Sequence, residues 1–310
     1  MQTISHILVD IDPTKDHQPA LYRGIELAKK HKAVLELFVA YYNSSIIAAC
    51  FLDDEKLELA KKSELNKQLK NLEKYKAEAE EAGVKVLVDV AWHHPIYEGI
   101  IQKASSAKAD IVLKSTHKHR MIAKVFFTPD DWQLLKACEQ PLWLAKAQSS
   151  SSIKNILVAI DPSNSNGKPE GLDRKLLETA LATADNHNAR LHVAHCYEPL
   201  GLEMFRELGG FGDTAIDHSQ YLQVTEQRHQ QQFDEITAPF QLAEDQKYLL
   251  QGYPDICLPE LVAMKKIDLL ILGTTYRTGL LGSTAEKLLD EVSCDVLAIK
   301  PDGFHSPVNT

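Results

Sequence analysis

One stretch of sequence occurs twice in this chain. HILVDIDP at residues 6–13 returns as NILVAIDP at residues 155–162, close to the middle of the 310 residues. A repeat of this length is a duplicated domain, because solenoid units repeat every ~20 to 50 residues. Domains of roughly 150 residues can each bury a core of their own. We therefore predict one domain over 1–147 and a second over 153–302, joined by a serine-rich linker.

In both halves, short apolar β-branched runs alternate with amphipathic helical patterns. Ile7–Ile11 precedes the helical pattern of Leu21–Lys32, and Ile156–Ile160 precedes that of Leu176–Asn186. This alternation predicts α/β architecture, with a doubly wound parallel sheet in each half. Ligands of such folds bind beyond the carboxyl ends of the strands. Residues that directly follow a strand are therefore the candidates for function.

The composition narrows the class of protein. A net charge of −9 argues against nucleic-acid binding, which usually needs a basic face. Five scattered cysteines without a C-x-x-C pair are typical of a reducing compartment. We find neither a signal-peptide pattern nor an apolar run of about 18 residues, so we expect a cytoplasmic protein without membrane insertion.

A glycine-rich segment follows the fourth predicted strand of the second half. It reads GTTYRTGLLGST over Gly273–Thr284 and leads into a predicted helix. Glycines let the backbone approach a ligand closely, and a helix N-terminus offers free N–H groups to an anion. Arg277 adds a positive charge. The segment is therefore a candidate phosphate-binding loop, although Ser283 could simply cap the helix.

These motifs resemble the universal stress protein family. The resemblance is carried by the repeated I-L-V-x-I-D-P, by Leu191-His192-Val193 and by Gly282-Ser283-x-Ala285-Glu286, and it covers essentially the whole chain. It implies Rossmann-like domains of strand order 3-2-1-4-5, a stress-response role and, as in many members, bound ATP. It places Asp161 near the ribose or adenine and Val193 beside the adenine. The phosphate contacts it implies are Gly273, Gly282, Ser283 and Thr284, and the loop also contributes Thr274, Arg277 and Gly279 as candidates.

The two halves differ from the family pattern at the same loop. In the second half, Tyr276 occupies the position of the second glycine, and Gly282 comes four residues sooner than in the family pattern. In the first half, Ser115 stands where Gly273 stands, and Thr128 is followed by Pro129. Proline lacks the N–H group that a phosphate cradle needs. We therefore predict that the first domain is degenerate and does not bind ATP.

Histidines follow two strands of the first half. His93, His117 and His119 are candidate zinc ligands, although Lys118 and Arg120 would repel a cation, and surface histidines without metal are the simpler interpretation. His192 is expected to be a packing residue. Our expectation for the protein is no metal site of its own.

Three functional hypotheses remain at this stage. The first is an ATP-binding stress protein, with accompanying Mg²⁺ and at most slow ATPase activity. The second is a non-catalytic sensor that has lost ATP and binds another small or apolar ligand under a flap at Gly201–Asp213. The third is an interaction protein whose halves form an internal pseudo-dimer, with a homodimer of chains left open.

Overall fold

A computed structural model describes residues 4–116, 128–146, 152–163, 169, 171–198, 218–274 and 288–308. The strands within these ranges are β1 His6–Asp10, β2 Val34–Tyr41, β3 Lys85–Trp92, β4 Ile111–Thr116, β5 Leu142–Lys146, β6 Asn155–Ile160, β7 Arg190–Tyr197, β8 Lys247–Gln251, β9 Leu269–Gly273 and β10 Asp295–Ile299. The helices are α1 Pro19–His31, α2 Ser44–Ala49, α3 Asp54–Glu81, α4 Ile96–Ser106, α5 Pro129–Ala137, α6 Leu172–His187, α7 His218–Thr237 and α8 Pro254–Lys265. Two short 3-10 turns, Ala238–Phe240 and Glu244–Gln246, precede β8.

The described chain forms two compact units. The first contains the first half of the sequence together with Thr274 and residues 293–308. Its strands follow the order β3-β2-β1-β4-β5, which confirms the predicted order 3-2-1-4-5, and they are parallel. The last strand of the sequence, β10, also lies in this unit and pairs with β5 in the antiparallel sense. The fifth strands of the two halves are thus partners, as expected of an internal pseudo-dimer.

The second unit contains residues 152–273, where described, with residues 288–292. Its parallel strands follow the order β8-β7-β6-β9, which matches strands 3-2-1-4 of the first unit. The division of the chain at 147 and 153 stays a prediction, and the structure adds that β10 belongs to the unit built mainly from the other half.

The two copies also share a pair of hydrogen bonds at the start of their first strands. Asp110 accepts hydrogen bonds from the backbone N–H groups of Ser5 and His6, at 2.6 and 2.9 Å. Asp268, at the corresponding position, accepts from the N–H groups of Lys154 and Asn155, at 2.8 and 3.0 Å. Both carboxylates therefore satisfy N–H groups where the first strand of their unit begins.

Helix ends follow from local sequence. Asn43 and Asp53 cap α2 and α3 by accepting from backbone N–H groups, at 2.9 and 3.0 Å. The short helix α2 was not predicted from the sequence. All five cysteines are free thiols. None of the helices in the described ranges is long and apolar enough to cross a bilayer.

Candidate functional site

Asp161 directly follows β6 at the carboxyl edge of the second unit, which is where its sequence position predicted it. Its backbone N–H donates to the Asp173 carboxylate at 3.2 Å, and its Oδ1 accepts from the Ser163 hydroxyl at 2.5 Å. The side chain is half-buried. A carboxylate held at this edge is a hydrogen-bond acceptor for hydroxyl or amino groups of a ligand.

Two imidazoles lie close to Asp161, and the sequence analysis missed their pairing. His195 on β7 is 1% exposed, and its Nδ1 lies 3.2 Å from the carbonyl oxygen of Ile160. Because a carbonyl only accepts, Nδ1 of His195 carries the proton, and its Nε2 accepts from Nδ1 of His229 at 2.8 Å. Burial lowers the pKa of both histidines, while the charge of Asp161 opposes that shift. Both rings are therefore neutral near pH 7.

Two more aromatic rings lie beside these histidines and form an aromatic wall with them. Tyr197 stacks on His229 with ring centroids 4.7 Å apart and an interplanar angle of 23°. Phe233 on α7 lies 6.2 Å from the His195 ring. A flat aromatic wall beside a carboxylate can hold a planar ring that also carries hydrogen-bond donors.

The strand register identifies which residue of β7 lies level with Asp161. Ile160 pairs with His195, so the next residue, Cys196, is level with Asp161. Burial, followed by the charges of Cys257 and Asp161, raises the pKa of the Cys196 thiol to about 12, in keeping with this proximity. Val193 is fully buried inside β7, two residues before His195 and on the same face of the strand.

The predicted loop begins with a closely packed glycine. A Cβ atom on Gly273 would lie 2.8 Å from Cδ2 of Leu172 on α6, so a larger residue here would force the Leu172 side chain to shift. Thr274 is buried and its N–H donates to Ile299 at 2.9 Å within the first unit. The other loop candidates, Arg277, Gly279, Gly282, Ser283 and Thr284, lie outside the described residues, as do the predicted flap at Gly201–Asp213 and the bulky Tyr276.

The first unit uses the corresponding positions for its own structure. Ser115, which replaces the glycine, accepts from the N–H group of Ala20 at 3.0 Å and so caps α1. Thr128 begins α5 with a capping box that it shares with Asp131. The carboxylate of Asp131 therefore already occupies the helix N-terminus that an anionic ligand would need.

A buried cluster of charges accompanies these caps. Lys114 Nζ lies 2.6 Å from Asp10 Oδ2 and 4.0 Å from Asp131 Oδ1. Burial alone would lower the pKa of Lys114, but the two carboxylates raise it above its ordinary value. In the second half, alanine and leucine replace Asp10 and Lys114, at Ala159 and Leu272. This cluster belongs to the first copy alone.

The candidate metal ligands are not brought together in the described chain. His93 Nε2 lies 3.8 Å from Glu98 Oε2, and His117 and His119 are outside the described residues. Across the described ranges, no group of three or more His, Cys, Asp or Glu side chains is placed to hold a metal ion. His192 packs against Tyr248, with its Nδ1 3.3 Å from the phenol oxygen.

Comparisons with known proteins agree on one family. The sequence model described as "Universal stress protein family" matches residues 3–146 and again 152–300. Universal stress protein E of Photorhabdus laumondii is 31% identical over 99% of this chain and 98% of its own length, and that of Escherichia coli K12 is 29% identical over the same shares. A protein of unknown function from Pseudomonas aeruginosa PAO1 has a similar structure, with a TM-score of 0.72 and 24% identity over 97% of this chain and 94% of its own. A universal stress protein from Archaeoglobus fulgidus gives a TM-score of 0.63 at 16% identity, covering 97% and 99% of the two chains.

Proposed function

The chain belongs to the universal stress protein family, and we propose that its second unit binds an ATP-like nucleotide as part of a cytoplasmic stress response. The observation that carries the proposal is the placement of Asp161 at the carboxyl edge of β6, beside the aromatic wall of Tyr197 and His229. The five free cysteines fit a reducing compartment.

In this proposal Asp161 accepts from the ribose or the adenine amino group. Val193 would lie beside the adenine, as the family resemblance implies, and Cys196, which is level with Asp161, is a second residue of β7 near that edge. The phosphates would meet Gly273 and the loop that follows it, through Thr274, Arg277, Gly279, Gly282, Ser283 and Thr284. Mg²⁺ would accompany the triphosphate and screen its charge.

We expect at most slow hydrolysis of the nucleotide. A general base needs a free lone pair within reach of the attacking water. In the described part of the second unit, Nε2 of His195 accepts from His229, and burial lowers the pKa of both rings, so the lone pair left on Nε2 of His229 is a weak base. The first unit would not share the site, because Asp131 places negative charge at the start of α5.

Thermal unfolding with and without Mg-ATP tests the proposal. A ligand present at a hundredfold excess over its Kd stabilises the native state by about 2.7 kcal/mol, which raises the Tm by several degrees. We expect Asp161→Asn to reduce this shift and Gly282→Val to abolish it. Asp12→Asn is the matched control, because Asp12 holds the corresponding position in the first copy.

No Tm shift at millimolar Mg-ATP with the parent protein would refute nucleotide binding. Loss of the shift in Asp12→Asn with retention in Asp161→Asn would refute the assignment of nucleotide binding to the second unit.

Light scattering tests the oligomeric state. Because β5 is already paired with β10, we propose that the protein is a monomer with an internal pseudo-dimer. An obligate higher assembly at micromolar concentration would contradict this proposal.

A further inference from the structure

A cavity of about 210 Å³ lies in the first unit, at the carboxyl ends of β1 and β2 and beneath α3. Its apolar wall comprises Ile11, Val39 and Leu72, all of which are almost fully buried. An apolar cavity of ~150 Å³ is known to admit benzene. The space is therefore sufficient for a six-membered ring with a small substituent.

The side chains that line the cavity differ from those at the corresponding described positions of the second copy. By strand register, Val39 corresponds to His195 and Ile11 to Ile160. In the second unit His195 and His229 meet in a hydrogen bond at this level of the fold. In the first unit, valine replaces the first imidazole and Gln68 approaches from α3. The smaller side chain leaves space where the second copy has paired rings.

One buried polar group faces this space. Gln68 is 5% exposed, and its Oε1 accepts from Asn71 Nδ2 at 3.4 Å. No other described residue hydrogen-bonds to Gln68, so its two Nε2 hydrogens are available to a ligand in the cavity that it lines. Buried amide hydrogens usually find an acceptor, so a ligand with a carbonyl or carboxylate oxygen would satisfy them.

The mouth of the cavity carries a positive charge balance. Lys15, Lys74 and Asp16 line it. Lys74 Nζ lies 3.7 Å from Asp16 Oδ1 and 4.5 Å from the centroid of the Tyr75 ring. Lys15 is exposed and makes no ion pair with any described residue. Two ammonium groups against one carboxylate favour an anion over a cation.

From these features we propose that the first unit binds a small organic monocarboxylate with a compact apolar body about the size of benzoate. The body packs against Ile11, Val39 and Leu72, while Gln68 and Lys15 donate to the carboxylate. This site is separate from the nucleotide site proposed for the second unit, and it gives the degenerate copy a ligand of its own.

Fluorine NMR of 4-fluorobenzoate with the full chain tests the proposal, and 4-fluorobenzamide is the neutral probe of the same shape. We expect the benzoate to bind at submillimolar to millimolar Kd and the benzamide to bind roughly tenfold more weakly, since a charge-assisted hydrogen bond is lost. Lys15→Gln should weaken benzoate binding by a similar factor. Lys85→Gln, an exposed lysine at the opposite edge of the sheet, should leave it unchanged.

Val39→Phe should abolish binding by filling the cavity, and its urea midpoint shows whether it still folds. Gln68→Leu supplies a second lining variant, and the side-chain amide signal of Gln68 should shift on titration of the parent protein. Equal binding of benzoate and benzamide, or parent-like affinity in Lys15→Gln, would overturn the anion assignment. Unchanged binding in folded Val39→Phe, or loss of binding in Asp161→Asn, would overturn the placement in this cavity.

Discussion

Removal of one buried carboxylate should lower the urea concentration at which the first unit unfolds. Asp295 begins β10 and is fully buried. It accepts from Arg23 Nε at 2.8 Å, from Trp143 Nε1 at 3.1 Å and from the N–H group of Lys146 at 2.8 Å. The last strand of the sequence is thereby tied to a helix and a strand of the first half. We expect Asp295→Ala to reduce the free energy of unfolding of this unit by about 3 kcal/mol.

The magnitude follows from what the substitution leaves behind. Loss of one partner from a buried ion pair costs ~3 to 5 kcal/mol, because the other charge stays buried and uncompensated. The Arg23 side chain is 6% exposed, but it also contacts Glu26 at 3.3 Å, which places the expected cost at the lower end. Asp295→Asn keeps an oxygen acceptor and the shape, so we expect roughly half the loss.

Tryptophan fluorescence is the appropriate assay, because all three tryptophans, Trp92, Trp132 and Trp143, lie in the first unit. Urea titrations would report that unit separately from the second, so the transition need not be two-state for the whole chain. The double variant Arg23→Met with Asp295→Leu should recover most of the loss, since an apolar pair can replace a buried ion pair.

Asp16→Ala is the control, since its side chain is fully exposed, and it should leave the tryptophan transition unchanged. A loss below about 1 kcal/mol for Asp295→Ala, with an unchanged slope in urea, would refute the reasoning, because it would mean that the buried carboxylate is not coupled to the stability of this unit.

Three further predictions concern the candidate site. Because burial lowers the native pKa of His195 and His229, the unfolded state binds more protons below about pH 6.5, so the free energy of unfolding of the second unit should fall as the pH falls through that value. Far-UV circular dichroism in urea at pH 5 and 7 should show a smaller difference for His195→Gln, and an equal difference would contradict the assignment. Gly273→Ala should cost ~1 to 3 kcal/mol through its clash with Leu172, and adding Leu172→Ala should remove the clash itself, which a double-mutant cycle would detect as coupling. Ser115→Ala should cost about 1 kcal/mol in the tryptophan assay by removing the cap of α1, whereas no loss would show that the hydroxyl is dispensable.

Much of the fold was predictable because its signals are local. Apolar runs mark the strands, and Asn188 and Lys32 end the first helix of each unit with positive φ angles of 51° and 55°. The placement of β10 in the first unit was not predictable from such patterns. It depends on Asp295 meeting Arg23 and Trp143, residues far away in the sequence, and on the antiparallel pairing with β5.

The candidate site, too, has one part that was predictable from local sequence and one part that was not. Asp161 could be placed from the sequence, because it directly follows a strand whose carboxyl end faces the ligand edge. The pairing of His195 with His229 depends on how α7 packs against β7, which periodicity does not specify. A sequence signal was nevertheless present: Ala194-His195-Cys196 repeats the pattern of Leu191-His192-Val193 three residues closer to the carboxyl edge. The strand register shows that the second histidine pairs with Ile160, the residue before Asp161, whereas the first pairs with Leu157.

Corresponding positions in the two copies explain why one fold would serve two ligands. Where the second copy has His195, the first has Val39, and a cavity with one apolar wall lies where the second copy has a pair of hydrogen-bonded rings. Where the second copy has Leu272, the first has Lys114, which forms an ion pair with Asp10 near the carboxyl edge of the sheet. Each exchange leaves the strand in register, because it changes the side chain and not the backbone pairing. Divergence of this kind costs the fold little and changes the chemistry of each edge, so the two copies are expected to select different ligands.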